Sequence, residues 1–375
     1  MPPFVVYWNN IPSPYMVERF NALADHGDFE FEAWFNDRIL SDRSWDVDEK
    51  KWRFQYRYIP STRICGRKYH WPLPVLGRRP DLLVSLYAEP SFIVGWAIAK
   101  TLGVKTAFRV LKTFDTWVNR SRLKSLARRI MFSHVDAIET PGCDGKSFAV
   151  ASGARPEKVH LATHTVDVEY FRDESDRFMA NRLELRSQLG LNGTTFIYVG
   201  RFWRGKGIEY LLDAFKQVKD GSVTEVSLLL IGDGEDENRL KRRCMEREIQ
   251  NVIFAGFKQK KDLPKYYAVS DVFVFPTLGD PYGLVVDEAM ACSLPVISSS
   301  AAGEITGRVA EGVNGYLVPP GDSRSLAKGM LKLSHDANLR EIMGARSYEK
   351  VKNHTPDQWA RDFEKLVKWV LGSSN

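Results

Sequence analysis

The stretch Val272-Phe273-Val274-Phe275, followed by Asp280-Pro281-Tyr282-Gly283-Leu284-Val285-Val286-Asp287-Glu288-Ala289-Met290-Ala291 and then Pro295-Val296-Ile297-Ser298, decides the fold. An apolar run, a segment of helical period and a second apolar run read as strand, crossover helix and parallel strand. Gly283 and Leu284 fall where the helix begins. Their amides find no acceptor inside the helix, and the helix dipole adds to their attraction for an anion. Asp280 precedes the helix, and Glu288 lies eight positions further on. Two carboxylates therefore flank an anion-binding helix start. Each also has an ordinary role open to it, as a helix-flanking acid and as a solvated helix residue.

The same alternation extends in both directions. In the second half, strands are expected at Thr195–Val199, Val226–Ile231, Val252–Phe254, Val272–Phe275 and Pro295–Ser298. Helices fit Gly207–Val218, Glu235–Glu248, Asp262–Val269 and Gly283–Ala291. In the first half, Phe4–Trp8, Phe29–Phe35, Leu82–Leu86, Lys105–Val110 and Ala137–Glu139 read as strands, and Pro14–Asp25, Phe92–Leu102 and Ser121–Phe132 as helices. Leu40–Tyr69, rich in Trp, Arg and Asp, reads as irregular, and the polar stretch Asp173–Gly193 as a domain junction. The last helix, Asp357–Leu371, carries Trp359, Phe363, Leu366, Val367 and Val370 on one face and needs a surface to pack on. The class is α/β with two doubly wound domains. Such sheets bind ligands at the carboxyl ends of their strands, so the expected site is the cleft where the domains face each other.

A chain of 375 residues accommodates two ordinary domains, and 44% hydrophobic with 12% aromatic content is globular. The net charge of +6 suits anionic small molecules, an anionic membrane surface or nucleic acid without choosing among them, and no RNA-binding module is evident. The four cysteines have neither metal-ligand nor CxxC spacing, which argues against a zinc site or a disulfide framework. No signal peptide and no run of roughly 18 apolar residues is seen, so a cytoplasmic protein is expected, with peripheral contact to the membrane.

Further residues suit the same chemistry. Gly200-Arg201-Phe202-Trp203-Arg204-Gly205-Lys206-Gly207 follows a strand and opens a helix. Arg201 offers a planar fork for phosphate oxygens and Lys206 a point charge, a pair able to neutralise a diphosphate; a basic surface turn has the same composition. Ile231-Gly232-Asp233-Gly234 ends the next strand in a turn that admits a ligand close to Gly232. The strand ending in Gly256-Phe257 offers backbone groups to a nucleobase edge. Asn9-Asn10-Ile11-Pro12-Ser13-Pro14-Tyr15 follows the first strand and suits a cleft-lining loop. The segment Arg120–Phe132 is a basic amphipathic helix, read either as a crossover helix with a solvated face or as a rest on anionic lipid. Asp46-Val47-Asp48 has the form of a paired-carboxylate metal motif but stands in an irregular charged segment.

Taken in order, Arg201 and Lys206, the glycine turns, Asp280-x7-Glu288 and Glu311-Gly-Val-Asn-Gly315-Tyr-Leu-Val-Pro-Pro-Gly321-Asp322 resemble the C-terminal domain of retaining glycosyltransferases of the two-domain GT-B fold, family 4 type, also known as glycosyl transferases group 1. The resemblance covers roughly Thr195–Leu331, and Thr163-His164-Thr165-Val166-Asp167 with Phe171 is similar to the family's domain junction. It implies two Rossmann-like doubly wound domains facing across a cleft: an acceptor-side domain over residues 1–170, a nucleotide-sugar domain over 171–355, and a helix over 356–375 packing back across them. It implies a hexosyltransferase that moves sugar from a nucleotide-diphosphate donor to a glycan, glycolipid, polysaccharide or lipopolysaccharide precursor with retention. No cofactor or metal is implied, because cationic side chains neutralise the leaving diphosphate. Arg201, Lys206 and Asp280 would be catalytic. Gly232, Phe257, Tyr282, Gly283, Leu284 and Glu288 would join them around the donor, with Glu288 on the ribose and Asp280 on the sugar ring. Asn10, Pro12, Tyr15, Arg109 and Lys112 would lie on the acceptor side.

The chain departs from the family pattern twice. Asp280 is one methylene shorter than the usual Glu, and the strand Lys105–Val110 runs into Leu111-Lys112-Thr113 where relatives carry a His. Two other readings stay open: a nucleotide-sugar epimerase on a similar fold, and a non-catalytic subunit that binds nucleotide sugar.

Overall fold

The computed structural model describes residues 1–26, 28–39, 45, 48–65, 67–72, 76–87, 89–111 and 122–372. The chain divides into two compact units, Met1–Thr165 with Thr355–Asn375, and Val166–His354.

In the second unit six parallel strands lie in the order Val252–Gly256, Val226–Ile231, Thr194–Val199, Val272–Phe275, Val296–Ser299, Gly315–Val318. The chain begins centrally at Thr194–Val199, moves outward over two strands, then returns to Val272–Phe275 on the other side. Strand order reverses between those two, which is where a doubly wound sheet opens a crevice beyond its carboxyl ends. One sheet face buries Phe196, Tyr198, Leu228, Leu230, Val274 and Ile297 together with Leu211 and Phe215 of the helix Ile208–Gly221 and Leu326 and Met330 of the helix Ser323–His335. Each such side chain contributes about 1.5–3 kcal/mol by leaving water.

The stretch Asp173–Gly193 is not a linker. It forms most of the helix Val168–Met179 and all of Arg182–Gln188, within the second unit. Its charges act as hooks: Arg182 reaches the carbonyl of Ala268 at 2.8 Å and Asp271 at 2.6 Å, and Arg186 reaches Asp271 at 3.1 Å. The helices Ser323–His335 and Ala337–Val351 and the strand Gly315–Val318 complete the unit and were not foreseen.

In the first unit seven parallel strands run in the order Gln55–Tyr58, Glu30–Phe35, Phe4–Asn9, Leu82–Ser85, Lys105–Arg109, Ala137–Thr140, Val159–Leu161. The expectation of irregular structure over Leu40–Tyr69 fails at Gln55–Tyr58, an edge strand, and at Ser61–Ile64, which pairs antiparallel with Arg67–His70. Alternating Tyr56 and Tyr58 drive the edge strand; both phenols donate to Glu49, at 2.7 and 2.9 Å. One sheet face carries the helices Pro90–Thr101 and Arg122–His134, packed through Phe92 on Trp8 and Leu83 and through Phe132 on Phe108. The other carries Pro14–His26 and the last helix, Pro356–Leu371, whose Trp359, Phe363, Leu366 and Val367 bury against Tyr7, Phe20 and Val84.

Candidate functional site

At the switch point of the second unit the loops after Thr194–Val199 and Val272–Phe275 lock together. The amide of Leu278 donates to the carbonyl of Gly205 at 2.9 Å, and Thr277 Oγ1 donates to the same oxygen at 3.2 Å. Gly207 takes φ +67°, and a Cβ there would sit 2.1 Å from the carbonyl oxygen of Pro276, so only glycine fits. This closure brings Lys206 Nζ onto Asp280 Oδ2 in an ion pair, 74 residues apart in sequence. Asp280 Oδ1 accepts from the amide of Tyr282 at 2.9 Å, and Lys206 Nζ lies 5.7 Å from the centre of the Phe275 ring. Burial pushes the Asp280 carboxyl up, but Lys206, the Tyr282 amide and Arg308 outweigh it and hold the group below the usual carboxylate range.

Gly283, at φ +75°, turns the chain into the helix Leu284–Ala291. The amides of Leu284 and Val285 open that helix and have no intrahelical acceptor. Glu288, fully buried, accepts from Tyr267 Oη at 2.7 Å. Arg201 sits half-buried in the same loop as Lys206. Gly232, at φ +136°, and Phe257 follow the two neighbouring strands; the Gly232 amide donates to the Gly256 carbonyl at 3.0 Å. Arg201, Lys206, Gly232, Phe257, Asp280, Tyr282, Gly283 and Leu284 thus lie on loops or helix starts beyond the carboxyl ends of four strands of one sheet, and Glu288 lies in the second turn of the helix.

A second layer escaped sequence reasoning. Arg308, 3% exposed, donates to the carbonyls of Tyr282 and Gly283 (3.1 Å) and of Gly303 (3.0 Å), and meets fully buried Asp287 at 3.4 Å. Its guanidinium carbon lies 3.9 Å from the centre of the Tyr282 ring. Arg308 therefore fixes the turn that presents the helix start. Glu304, buried beside it, takes the left-handed φ of +57° that a non-glycine residue rarely adopts. A glycine followed by an acid after a strand was the available signal for Glu304; nothing local marks Arg308. Glu311 and Asp322 have structural duties: Glu311 accepts from the Leu317 amide at 2.7 Å, and Asp322 caps the helix Ser323–His335.

In the first unit Asn10 lies at that sheet's own point of strand reversal, donating to Glu89 at 2.9 Å and accepting from Asn36 at 3.1 Å. Pro12 is buried and Tyr15 half-buried in the same segment. Arg109 lies apart from them. It is buried in the core, donating to Glu139 at 2.7 Å and to Tyr7 Oη at 2.9 Å, with Trp359 Nε1 on the same carboxylate at 2.9 Å. That network serves packing, so the structure gives Arg109 no exposed face toward an acceptor. Lys112, Asp46 and Val47 lie outside the described residues, and Asp48 accepts from the Lys50 amide as the cap of a short turn. Among the described residues no group of three or more His, Cys, Asp or Glu is placed to hold a metal ion.

Residues 181–350 match the family described as glycosyl transferases group 1. Over that span the chain is similar to this family. It is 28% identical over 336 residues to the sulfoquinovosyl transferase SQD2 of Arabidopsis thaliana, covering 86% of this chain and 62% of the relative. It is 30% identical over 211 residues to the capsular polysaccharide biosynthesis glycosyltransferase CapM of Staphylococcus aureus, covering 56% of this chain and 51% of the relative. The chain thus spans between half and just over three-fifths of these relatives' lengths. The fold is similar to that of HepE from Anabaena in complex with UDP, with a TM-score of 0.78 at 16% identity, over 98% of this chain and 100% of that one. Both units are Rossmann-like, and the fold is GT-B.

Proposed function

We propose that this protein is a metal-independent, retaining glycosyltransferase that moves a hexosyl unit from a nucleoside-diphosphate sugar to a glycan, glycolipid or polysaccharide-precursor acceptor. The observation that carries the reading is the Lys206–Asp280 pair, held at the switch point of the family-matched unit beside the start of the helix Leu284–Ala291. Transfer from the anomeric carbon passes through an oxocarbenium-like state while negative charge builds on the departing diphosphate. Lys206, Arg201 and the amides of Gly283 and Leu284 stabilise that charge where it forms. Asp280 holds a hydroxyl of the sugar ring, and Glu288, oriented by Tyr267, accepts from the ribose diol. A leaving phosphate oxygen takes the proton of the acceptor hydroxyl.

The HepE structure holds UDP, so UDP is the first nucleotide to examine. Calorimetry against UDP, GDP, ADP and dTDP should give one preferred partner. Charge-assisted hydrogen bonds contribute about 1.5–3 kcal/mol each, so Arg201→Ala with Lys206→Ala should weaken nucleotide binding by roughly a hundredfold or more. Unchanged affinity would sink the site assignment. NMR of the product should show a retained anomeric configuration on an acceptor; conversion of the donor sugar with no acceptor present would mark an epimerase instead.

A further inference from the structure

We infer that the face of the first unit carrying the helix Arg122–His134 docks on an anionic phospholipid surface. The helix holds four Arg or Lys residues and no acid, and the helix Pro90–Thr101 on the same sheet face is also free of acids. Arg128 is turned inward, 9% exposed, with its guanidinium 5.3 Å from the centre of the Phe148 ring. Arg122, Lys124 and Arg129 point to solvent. Asp136, the acid that follows the helix, is already held by Lys100 at 3.0 Å and Lys105 at 3.6 Å.

The same two helices also expose aliphatic side chains. Leu126 is 57% exposed and Ile130, one turn later, 50% exposed; Ile93 and Val94 of the neighbouring helix are 38% and 40% exposed. A single exposed Leu is ordinary on any protein surface. Two large aliphatics one turn apart, bordered by basic residues on two acid-free helices, form instead the pattern of a helix that lies in a lipid interface. Charge complementarity selects the occupant. Each Lys or Arg close to an anionic leaflet strengthens binding by roughly fivefold, while the aliphatic side chains enter the boundary between headgroups and chains. No described helix is long and apolar enough to cross a membrane, so the contact is one of lying on the surface.

Co-sedimentation of the full chain with vesicles of phosphatidylcholine, alone or mixed with phosphatidylglycerol, tests this directly. The protein should bind the mixed vesicles, bind pure phosphatidylcholine weakly, and be released by salt. Arg122→Glu with Arg129→Glu should lower partitioning by roughly tenfold or more, and Leu126→Glu with Ile130→Glu should do so at least as strongly. All four positions are exposed, so circular dichroism and UDP titration should be unchanged in both variants. Equal binding of wild type to neutral and anionic vesicles would overturn the inference. So would a Leu126→Glu, Ile130→Glu variant that partitions like wild type. Light scattering supplies the remaining outcome: if that variant instead dissolves a dimer, the face is covered by a second copy and the lipid proposal fails. Vesicle partitioning, circular dichroism and light scattering need neither turnover nor nucleotide binding, so they stand whether or not the donor-site reading does.

Discussion

Lys206 and Asp280 show how little of a side chain's role is local. Asp280 uses one carboxylate oxygen to accept from the Tyr282 amide and the other to meet Lys206. The group is held below the ordinary carboxylate range, so it stabilises the folded state at neutral pH. That contribution is present above the unfolded-state pKa and is lost as the pH falls through the depressed folded value. Asp280→Asn should therefore lower the melting temperature at neutral pH, and the gap to wild type should close on acidification below about pH 4. A gap that widens in acid would contradict the assignment. Asp280→Glu should keep the charge but lengthen the reach, changing KM for the donor more than it changes nucleotide affinity. Arg308 is a positioning residue for the same turn. Removing one member of a buried pair costs about 3–5 kcal/mol, so Arg308→Met and Asp287→Ala should each destabilise on that order. Because they act on one network, the double variant should cost less than the sum of the singles in denaturant titrations. Arg308→Lys should recover part of the stability yet leave donor affinity reduced, because one ammonium cannot reproduce a guanidinium fork spread over four carbonyls, those of Tyr282, Gly283, Gly303 and Glu304.

The strand, turn and helix around Gly283 form the unit on which the site depends. Gly283 has φ +75°, and a Cβ there would lie 2.6 Å from the ring of Phe275. Gly283→Ala meets both a left-handed backbone and a buried ring, and should cost on the order of 1–3 kcal/mol and weaken nucleotide binding with it. Calorimetric melting and titration of one preparation check both. At this scale much was legible in the sequence. The apolar runs Val226–Ile231 and Val272–Phe275 marked strands because both faces of a parallel sheet are covered, and the glycines after them marked turns. The stretch Asp173–Gly193 reads as a junction because it is charged, yet it holds all of the helix Arg182–Gln188 and most of Val168–Met179. A charged run does not reveal whether its arginines face water or, as with Arg182 and Arg186, clamp backbone carbonyls of a segment some 85 residues away.

At the scale of the whole molecule the chain closes one unit with its far end. Thr355–Asn375 belongs with Met1–Thr165, and Trp359 Nε1 donates to Glu139 across 220 residues of sequence. Arg19 lies beneath the same ring, its guanidinium 5.2 Å from the Trp359 centre, and burial pulls its pKa down to about 9. Trp359→Ala should remove about 3–5 kcal/mol. Hydrogen exchange should locate that loss in the first unit, with the strands Thr194–Val199 and Val272–Phe275 of the second unit protected as in wild type. Uniform loss of protection over the chain would contradict this division.

Periodicity and composition determined by themselves the α/β class, the doubly wound halves, the strands on either side of the site and the loops that carry Lys206, Asp280 and Gly283. These follow from short-range rules, in which apolar runs, glycine turns and helix starts have fixed spacings. Only the tertiary structure decided that Lys206 meets Asp280, that Tyr267 orients Glu288, that Arg308 holds the helix-opening turn and that Arg109 is buried on Glu139. Each of those contacts joins residues 21 to 74 positions apart through the order of strands in a sheet. Strand order is set by which crossovers bury the most apolar surface together, a property of the packed sheet that no local window contains.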